Sequence, residues 1–242
     1  MNSAGNYGKR GEITMNVISV YNQKGGVGKT SLSVLLGLFA SQENKKVLLI
    51  DLDPQESLSQ IAKKTGQGKT VFGWLSGSSL NECIESISDN LYLVRGDINL
   101  IRIMNGIPIN QIKNLLRKEE IDLVILDCQP TYNNLVVSGL NASDKIIVPT
   151  LQSDFDLKSL LLSLEIISEI ERPIEKYIVF NRQKSITKDI EKRFFSIPEI
   201  QSFTSFCFPN SVSIRKDIKN LRLSDKIKES VSGLYYGLWG VL

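Results

Sequence analysis

The chain has 242 residues, 42% hydrophobic and 23% charged, with 29 basic and 26 acidic side chains, a balance that belongs to a folded globular chain and excludes wholesale disorder. Histidine is absent, so Ser-His-Asp, Cys-His and His-ligated zinc chemistries are excluded. Cys83, Cys128 and Cys207 stand 45 and 79 residues apart, which suits neither a disulfide framework nor a Cys-x-x-Cys metal site and points to a reducing, cytosolic compartment.

Residues 1–14 are polar and lack the apolar core of a signal peptide. They are expected to be a disordered extension, with Met15 an alternative start. No apolar run reaches the ~18–20 residues of a membrane-spanning helix. From there, short β-branched runs alternate with longer helical patterns. Strands are expected at 17–21, 46–51, 91–94, 123–127, 145–149, 177–181 and 203–208. Helices are expected at 29–42, 57–64, 109–118, 156–170, 187–196 and 225–241. Runs such as Val47-Leu48-Leu49-Ile50 are apolar on both faces, as strands are when helices cover both sides of a parallel sheet. The rhythm predicts an α/β fold with a mostly parallel, twisted sheet, and one domain over 15–242. Residues 65–110 carry the least periodicity.

The first strand leads into Gln23-Lys24-Gly25-Gly26-Val27-Gly28-Lys29-Thr30-Ser31, and a helical pattern follows at once. Glycines let successive backbone N–H groups curl around phosphate oxygens, and the helix N-terminus adds its positive dipole end. In such a loop the lysine after the last glycine, Lys29, contacts the β- and γ-phosphates, and Thr30 gives its hydroxyl to Mg²⁺. The usual Gly-x-x-x-x-Gly-Lys spacing asks for glycine at position 23; Gln23 stands there, followed by a second lysine, Lys24. Two acidic clusters close apolar strands: Asp51-Leu52-Asp53-Pro54-Gln55 and Asp127-Cys128-Gln129-Pro130. Ligands of an open α/β sheet gather at that edge. A carboxylate beside the phosphate loop can hold Mg²⁺ through its waters, the Walker B role that Asp127 fits. Taken alone, each aspartate also suits a turn that caps the next helix.

The two-lysine loop resembles the deviant Walker A motif of the ParA/MinD family of ATPases, and the resemblance extends over most of residues 15–242, closest to the Soj-like ParA partition ATPases. It implies a P-loop ATPase that forms an ATP-sandwiched homodimer. Lys24 would reach across that dimer to the partner's phosphates, as an arginine finger does. It also implies that Asp51 supports the Mg²⁺ site and Asp53 lies near the hydrolytic water. Gln129 departs from the family's Asp-x-Pro-Pro, where proline is usual. Asn181, Pro209 and Asn210 match the segments that frame the adenine, and an amide can read a base edge with a donor and an acceptor; a turn closing a strand is the other use of such residues.

Residues 181–242 carry eleven basic and six acidic side chains, against eighteen and twenty before them. Arg215, Lys219, Arg222 and Lys226 are spaced four, three and four apart, so on one helix they would form a basic stripe opposite Ile214, Ile218 and Leu221. Arg182, Lys184 and Lys188 come from a neighbouring loop. Relatives of the partition type bind DNA there without sequence preference, and with Lys216 these cations are the candidate DNA face. A solvated helix face is the alternative that charge leaves open. Residues 233–242 are apolar and uncharged, which favours a final helix packed on the domain over the membrane-seeking helix of MinD-like relatives. With the phosphate loop starting at residue 23, no helix-turn-helix domain is expected before it.

The expectation is therefore an ATP- and Mg²⁺-dependent partition ATPase, in the cytoplasm on nucleoid DNA, stimulated by a DNA-bound adaptor and segregating plasmid or chromosome. A MinD-like membrane-positioning ATPase and a non-hydrolysing nucleotide-binding protein are the alternatives. Iron–sulfur relatives are disfavoured, since Cys128 has no suitably placed cysteine partner.

Overall fold

The computed structural model describes residues 15–61, 68–116 and 120–240. In chain order the elements are β1 (Asn16–Val20), α1 (Lys29–Gln42), β2 (Val47–Leu52), α2 (Val71–Leu75), β3 (Ile84–Ser88), β4 (Leu91–Val94), α3 (Leu100–Ile103), α4 (Gln111–Leu116), β5 (Leu123–Cys128), α5 (Asn134–Ala142), β6 (Lys145–Thr150), α6 (Asp154–Ser168), β7 (Glu175–Asn181), α7 (Lys188–Phe194), α8 (Pro198–Gln201), β8 (Thr204–Phe208), α9 (Ser213–Asn220) and α10 (Asp225–Leu238). The eight strands form one sheet in the order β3-β4-β2-β5-β1-β6-β7-β8, parallel except for the β3–β4 pair at one edge. The chain moves from β5 to β6 across β1, so the order reverses at the strand that feeds the phosphate loop, where open α/β sheets place their ligands.

All seven expected strands are present, shifted by at most two residues. Their alternation explains the two cores. On β2 and β5, Leu48, Ile50, Val124 and Leu126 pack under α2, α4, α5 and α6; Val47, Leu49, Leu123 and Ile125 pack under α1 and α10. One face of each strand thus carries each layer.

The differences lie where local pattern is weak. In the window 57–64 the described residues hold a 3-10 turn, Ser59–Ile61; residues 62–67 lie outside the described residues. Ser59 is bound to Asp51 through both its hydroxyl and its N–H, so this turn is tied to the end of β2. β3 was not expected; neither was α5, whose Val-Val pair and Gly139 read poorly as helix. The Asn133 side chain accepts from Val136 N to start α5, and a Cβ at Gly139 would stand 3.2 Å from Leu52, so the glycine permits close docking on the sheet. The expected extension 1–14 lies outside the described residues.

Candidate functional site

The phosphate loop leaves β1 through Tyr21 and Asn22, both fully buried, and enters α1 at Gly28. Gly26 and Gly28 have φ of 76° and 100°, a region costly for residues with a Cβ. At Gly28 space forbids a side chain as well, because a Cβ would lie 2.0 Å from Asn181 Nδ2. The first turn of α1 has no side-chain cap and no acidic residue, leaving its N–H groups to face the loop. Lys29 is buried and folds back: its Nζ donates to Asn22 O at 3.1 Å and Lys24 O at 2.9 Å. Burial pushes its ammonium below the usual lysine range. The loop is thus closed from beneath by its own lysine.

A second brace comes from α6 and was not foreseen. Ser163 Oγ accepts from Gln23 N, and Asn22 Oδ1 accepts from Lys24 N and Ser159 Oγ. Lys24 Nζ pairs with Asp156 Oδ1 at 2.6 Å, while Asp156 also accepts from Ser153 N. Asp156, Ser159 and Ser163 stand three and four residues apart on one helix face. That polar spacing within an apolar helix was the signal available in the sequence. Burial works to raise the Asp156 carboxyl, but its bonds to Lys24 and Ser153 outweigh it and hold it below the usual range.

Asp51 and Asp127 are register partners on adjacent strands, and both are buried. Asp127 accepts from Thr30 Oγ1 at 2.7 Å and Ser33 Oγ at 3.3 Å, which ties β5 to the first turn of α1. Burial, then the charge of Asp51, pushes it up to about 7. Asp51 accepts from Ser59 N, Ser59 Oγ and Asp53 N, and burial pushes it up to about 6 despite these bonds. Gly96, another residue the sequence did not single out, closes over it: a Cβ there would lie 3.0 Å from the Asp51 carboxyl carbon. Residues two apart in a strand share a face, yet Asp53 separates from Asp51 because β2 ends at Leu52. Asp53 accepts from Gln55 N and lines the open cavity. Among the described residues no three His, Cys, Asp or Glu side chains form a metal cluster. The donors at the loop are one hydroxyl and carboxylate oxygens, a hard set that fits Mg²⁺, which takes few protein ligands and keeps its waters.

The cavity, of about 720 Å³, runs from Gly25, Gly26 and Gly28–Ser31 past Asp53 to Asn181, Asn210, Ser211 and Arg215. Pro209 is half-buried and does not line it, and Val27 is turned into the protein. Asn181 is not a free base reader: its Nδ2 donates to Val27 O at 2.8 Å and its Oδ1 accepts from Arg182 N. Its amide ties β7 to the phosphate loop, whereas Asn210 is exposed at the cavity wall.

The basic stripe needs correction. α9 ends at Asn220, and Leu221 at φ 51° turns the chain, so Arg215 and Lys219 share α9 while Arg222 lies beyond it and Lys226 belongs to α10. The physical reason is Asp217, buried, whose carboxylate accepts from Ser224 N and Oγ and draws the chain back. Lys184, Lys216, Lys219 and Arg222 are exposed; Arg182 and Arg215, exposed as well, also line the cavity. The expected final helix is present as α10, with Ile227, Val231, Leu234, Tyr235 and Leu238 buried and Tyr235 against Phe39 of α1. No described helix is long and apolar enough to cross a membrane.

A family model described as an AAA domain matches residues 15–180. The chain is 30% identical over 159 residues to the chromosome-partitioning ATPase Soj of Treponema pallidum, a match covering 62% of each protein. It therefore spans just under two thirds of that relative. An uncharacterized protein of Methanocaldococcus jannaschii is 30% identical over 209 residues, 77% of this chain and 80% of the relative. Among solved structures, a Cyanothece McdA variant in complex with ATP superposes with a TM-score of 0.82 at 20% identity, covering 94% of this chain and 97% of the other, a likeness of fold.

Proposed function

Because the chain belongs to the ParA/MinD family of P-loop ATPases, we propose that it is a ParA-like partition ATPase, with residues 15–242 as one ATPase domain. It binds ATP with Mg²⁺ in the cavity between the phosphate loop and α9, and closes on a second copy of itself across the nucleotide. The dimer binds duplex DNA without sequence preference and hydrolyses ATP slowly until a DNA-bound adaptor accelerates it. Cycles of binding and release then position plasmid or chromosome DNA in the cytoplasm.

The observation that carries this reading is the division between the two loop lysines. Lys29 lies under the cradle, where it would neutralise the β- and γ-phosphates of its own protomer's ATP. Lys24 lies outside the cavity lining, paired with Asp156. Released from that pair, it is free to reach a partner's phosphates, a cation delivered only on dimerisation. Thr30 and Asp127 would hold Mg²⁺, with Asp51 behind Asp127; the bound ion supplies neutralisation of phosphoryl charge. Asp53, at the cavity wall, orients the attacking water. Lys184, Lys216, Lys219 and Arg222 offer charge to DNA phosphates without reading bases.

The test is co-sedimentation with unrelated duplex DNAs. With ATP the protein is expected to pellet with each of them, and with ADP far less, because dimerisation joins two weak sites on one duplex. Binding should weaken steeply with salt. Equal sedimentation with ATP and ADP would remove the nucleotide-gated dimer from the reading.

A further inference from the structure

Arg182 and Arg215 share a position that a DNA contact does not require: both line the cavity that holds the phosphate loop. We propose that these two arginines are ligands of the nucleotide within their own protomer, gripping its phosphate and ribose oxygens. This rests on the reading of that cavity as the ATP site.

Arg182 follows Asn181, whose amide is bonded to Val27 O and which packs against Gly28. The position is therefore fixed to the phosphate loop. Its φ of 61° is left-handed, a conformation glycine adopts freely and arginine does not. Strain of this kind is held by its surroundings and gathers at ligand-binding sites. The guanidinium extends over the loop, with Nη2 3.5 Å from Gly26 O. Arg215 reaches the same cavity from α9. It sits in the first turns of α9 beside Ile214, another lining residue; Ile214 and Ile218 pack against the core, and Asp217 anchors the helix end. Packing thus fixes the backbone from which Arg215, itself exposed, reaches the cavity.

Charge points the same way. The ionisable side chains lining the cavity are Lys29, Arg182 and Arg215 against Asp53 alone, a net positive wall facing a polyanionic ligand. Lys29 already donates to two backbone carbonyls, and Lys24 is held by Asp156. Neither arginine has a carboxylate partner within ion-pair distance among the described residues. An arginine fork is matched to paired oxygens of phosphate, and two forks that line one cavity with no carboxylate paired to either form a clamp.

The experiment is binding of a fluorescent N-methylanthraniloyl ATP with Mg²⁺, in the absence of DNA. Arg215→Ala and Arg182→Gly are each expected to weaken affinity about tenfold. Lys228→Ala, equally exposed but outside the cavity, should leave affinity unchanged. Arg182→Gly relieves the left-handed strain, so its melting temperature should equal or exceed that of the parent while affinity falls; a folding defect would move both together. At saturating ATP, Arg215→Ala should sediment with DNA like the parent. Parental ATP affinity in both variants would overturn the clamp, as would loss of DNA binding by Arg215→Ala at saturating ATP with its ATP affinity intact. Failure of the parent itself to bind the nucleotide would instead count against the ATP site.

Discussion

At the phosphate end of the cavity almost every polar side chain is held by a neighbour: Lys29 by two carbonyls, Asp127 by Thr30 and Ser33, Asn22 by Ser159 and Pro149 O. At the end proposed to take the base, Asn210 and Arg215 stand exposed, on the loop after β8 and on an eight-residue helix. The difference fits what each end would handle in the proposed ATPase. Stabilising charge on a transferring phosphoryl group depends on donors fixed before the reaction. A base and ribose need shape and a few contacts, and a wall that also carries the cations Lys216 and Lys219 gains from being able to shift when the ligand arrives.

The comparison breaks first at its strongest point. Lys29→Ala is expected to abolish ATP binding, a loss of about 3 kcal/mol or more because a charged, preorganised donor is removed; isothermal titration checks it. Near-parental affinity would mean that the phosphate end is not preorganised around this lysine.

Asp53→Ala should retain ATP binding and lower turnover by about 10²–10⁴-fold, since water positioning is lost while the cradle remains. Single-turnover hydrolysis separates the two quantities, and normal turnover would make Asp53 only the residue that closes the Gln55 turn.

Asp127→Asn exposes the stability set aside for function. In the folded chain the Asp127 carboxyl is pushed up to about 7 from its ordinary 3.8, and Asp51 to about 6. A carboxyl that holds its proton longer when folded loses stability as pH rises from the unfolded to the folded value. Without Mg²⁺, melting temperature should therefore fall between about pH 4 and 7, and the asparagine variant should fall less. At pH 8 it should melt higher than the parent by roughly 3 °C, the size of a gain of about 1 kcal/mol, while losing hydrolysis. Identical pH profiles would show that the aspartate pair carries no such strain.

The smallest effect belongs to the base end. Asn210→Ala is expected to weaken ATP by about 1 kcal/mol, one exposed hydrogen bond, with little change in melting temperature. A loss as large as that of Lys29→Ala would erase the contrast between the two ends.

What could be read in advance follows the same divide. β1, the glycine loop and α1 are legible because strand, turn and helix each carry a local signature, and Asp127 because an apolar run ends on it. Asp156, Ser159, Ser163, Ser59 and Gly96 were not, since each acts on a partner more than thirty residues away or, for Ser59, through a carboxylate eight residues back that looked like a ligand and not an acceptor. The basic stripe was misread because spacing alone does not reveal the buried Asp217 that ends α9. That Arg182 and Arg215, exposed as expected, also line the cavity of the phosphate loop was not legible, because such proximity is a property of the β7–β8 edge of the sheet, not of local pattern.

The central claim, that Lys29 serves its own nucleotide and Lys24 the partner's, is tested most directly by measuring ATP affinity and turnover of Lys24→Ala across protein concentrations. The account predicts ATP affinity close to that of the parent, with the parent's turnover per protomer rising with concentration and the variant's staying flat at background. Parental turnover in Lys24→Ala, rising with concentration in the same way, would contradict it.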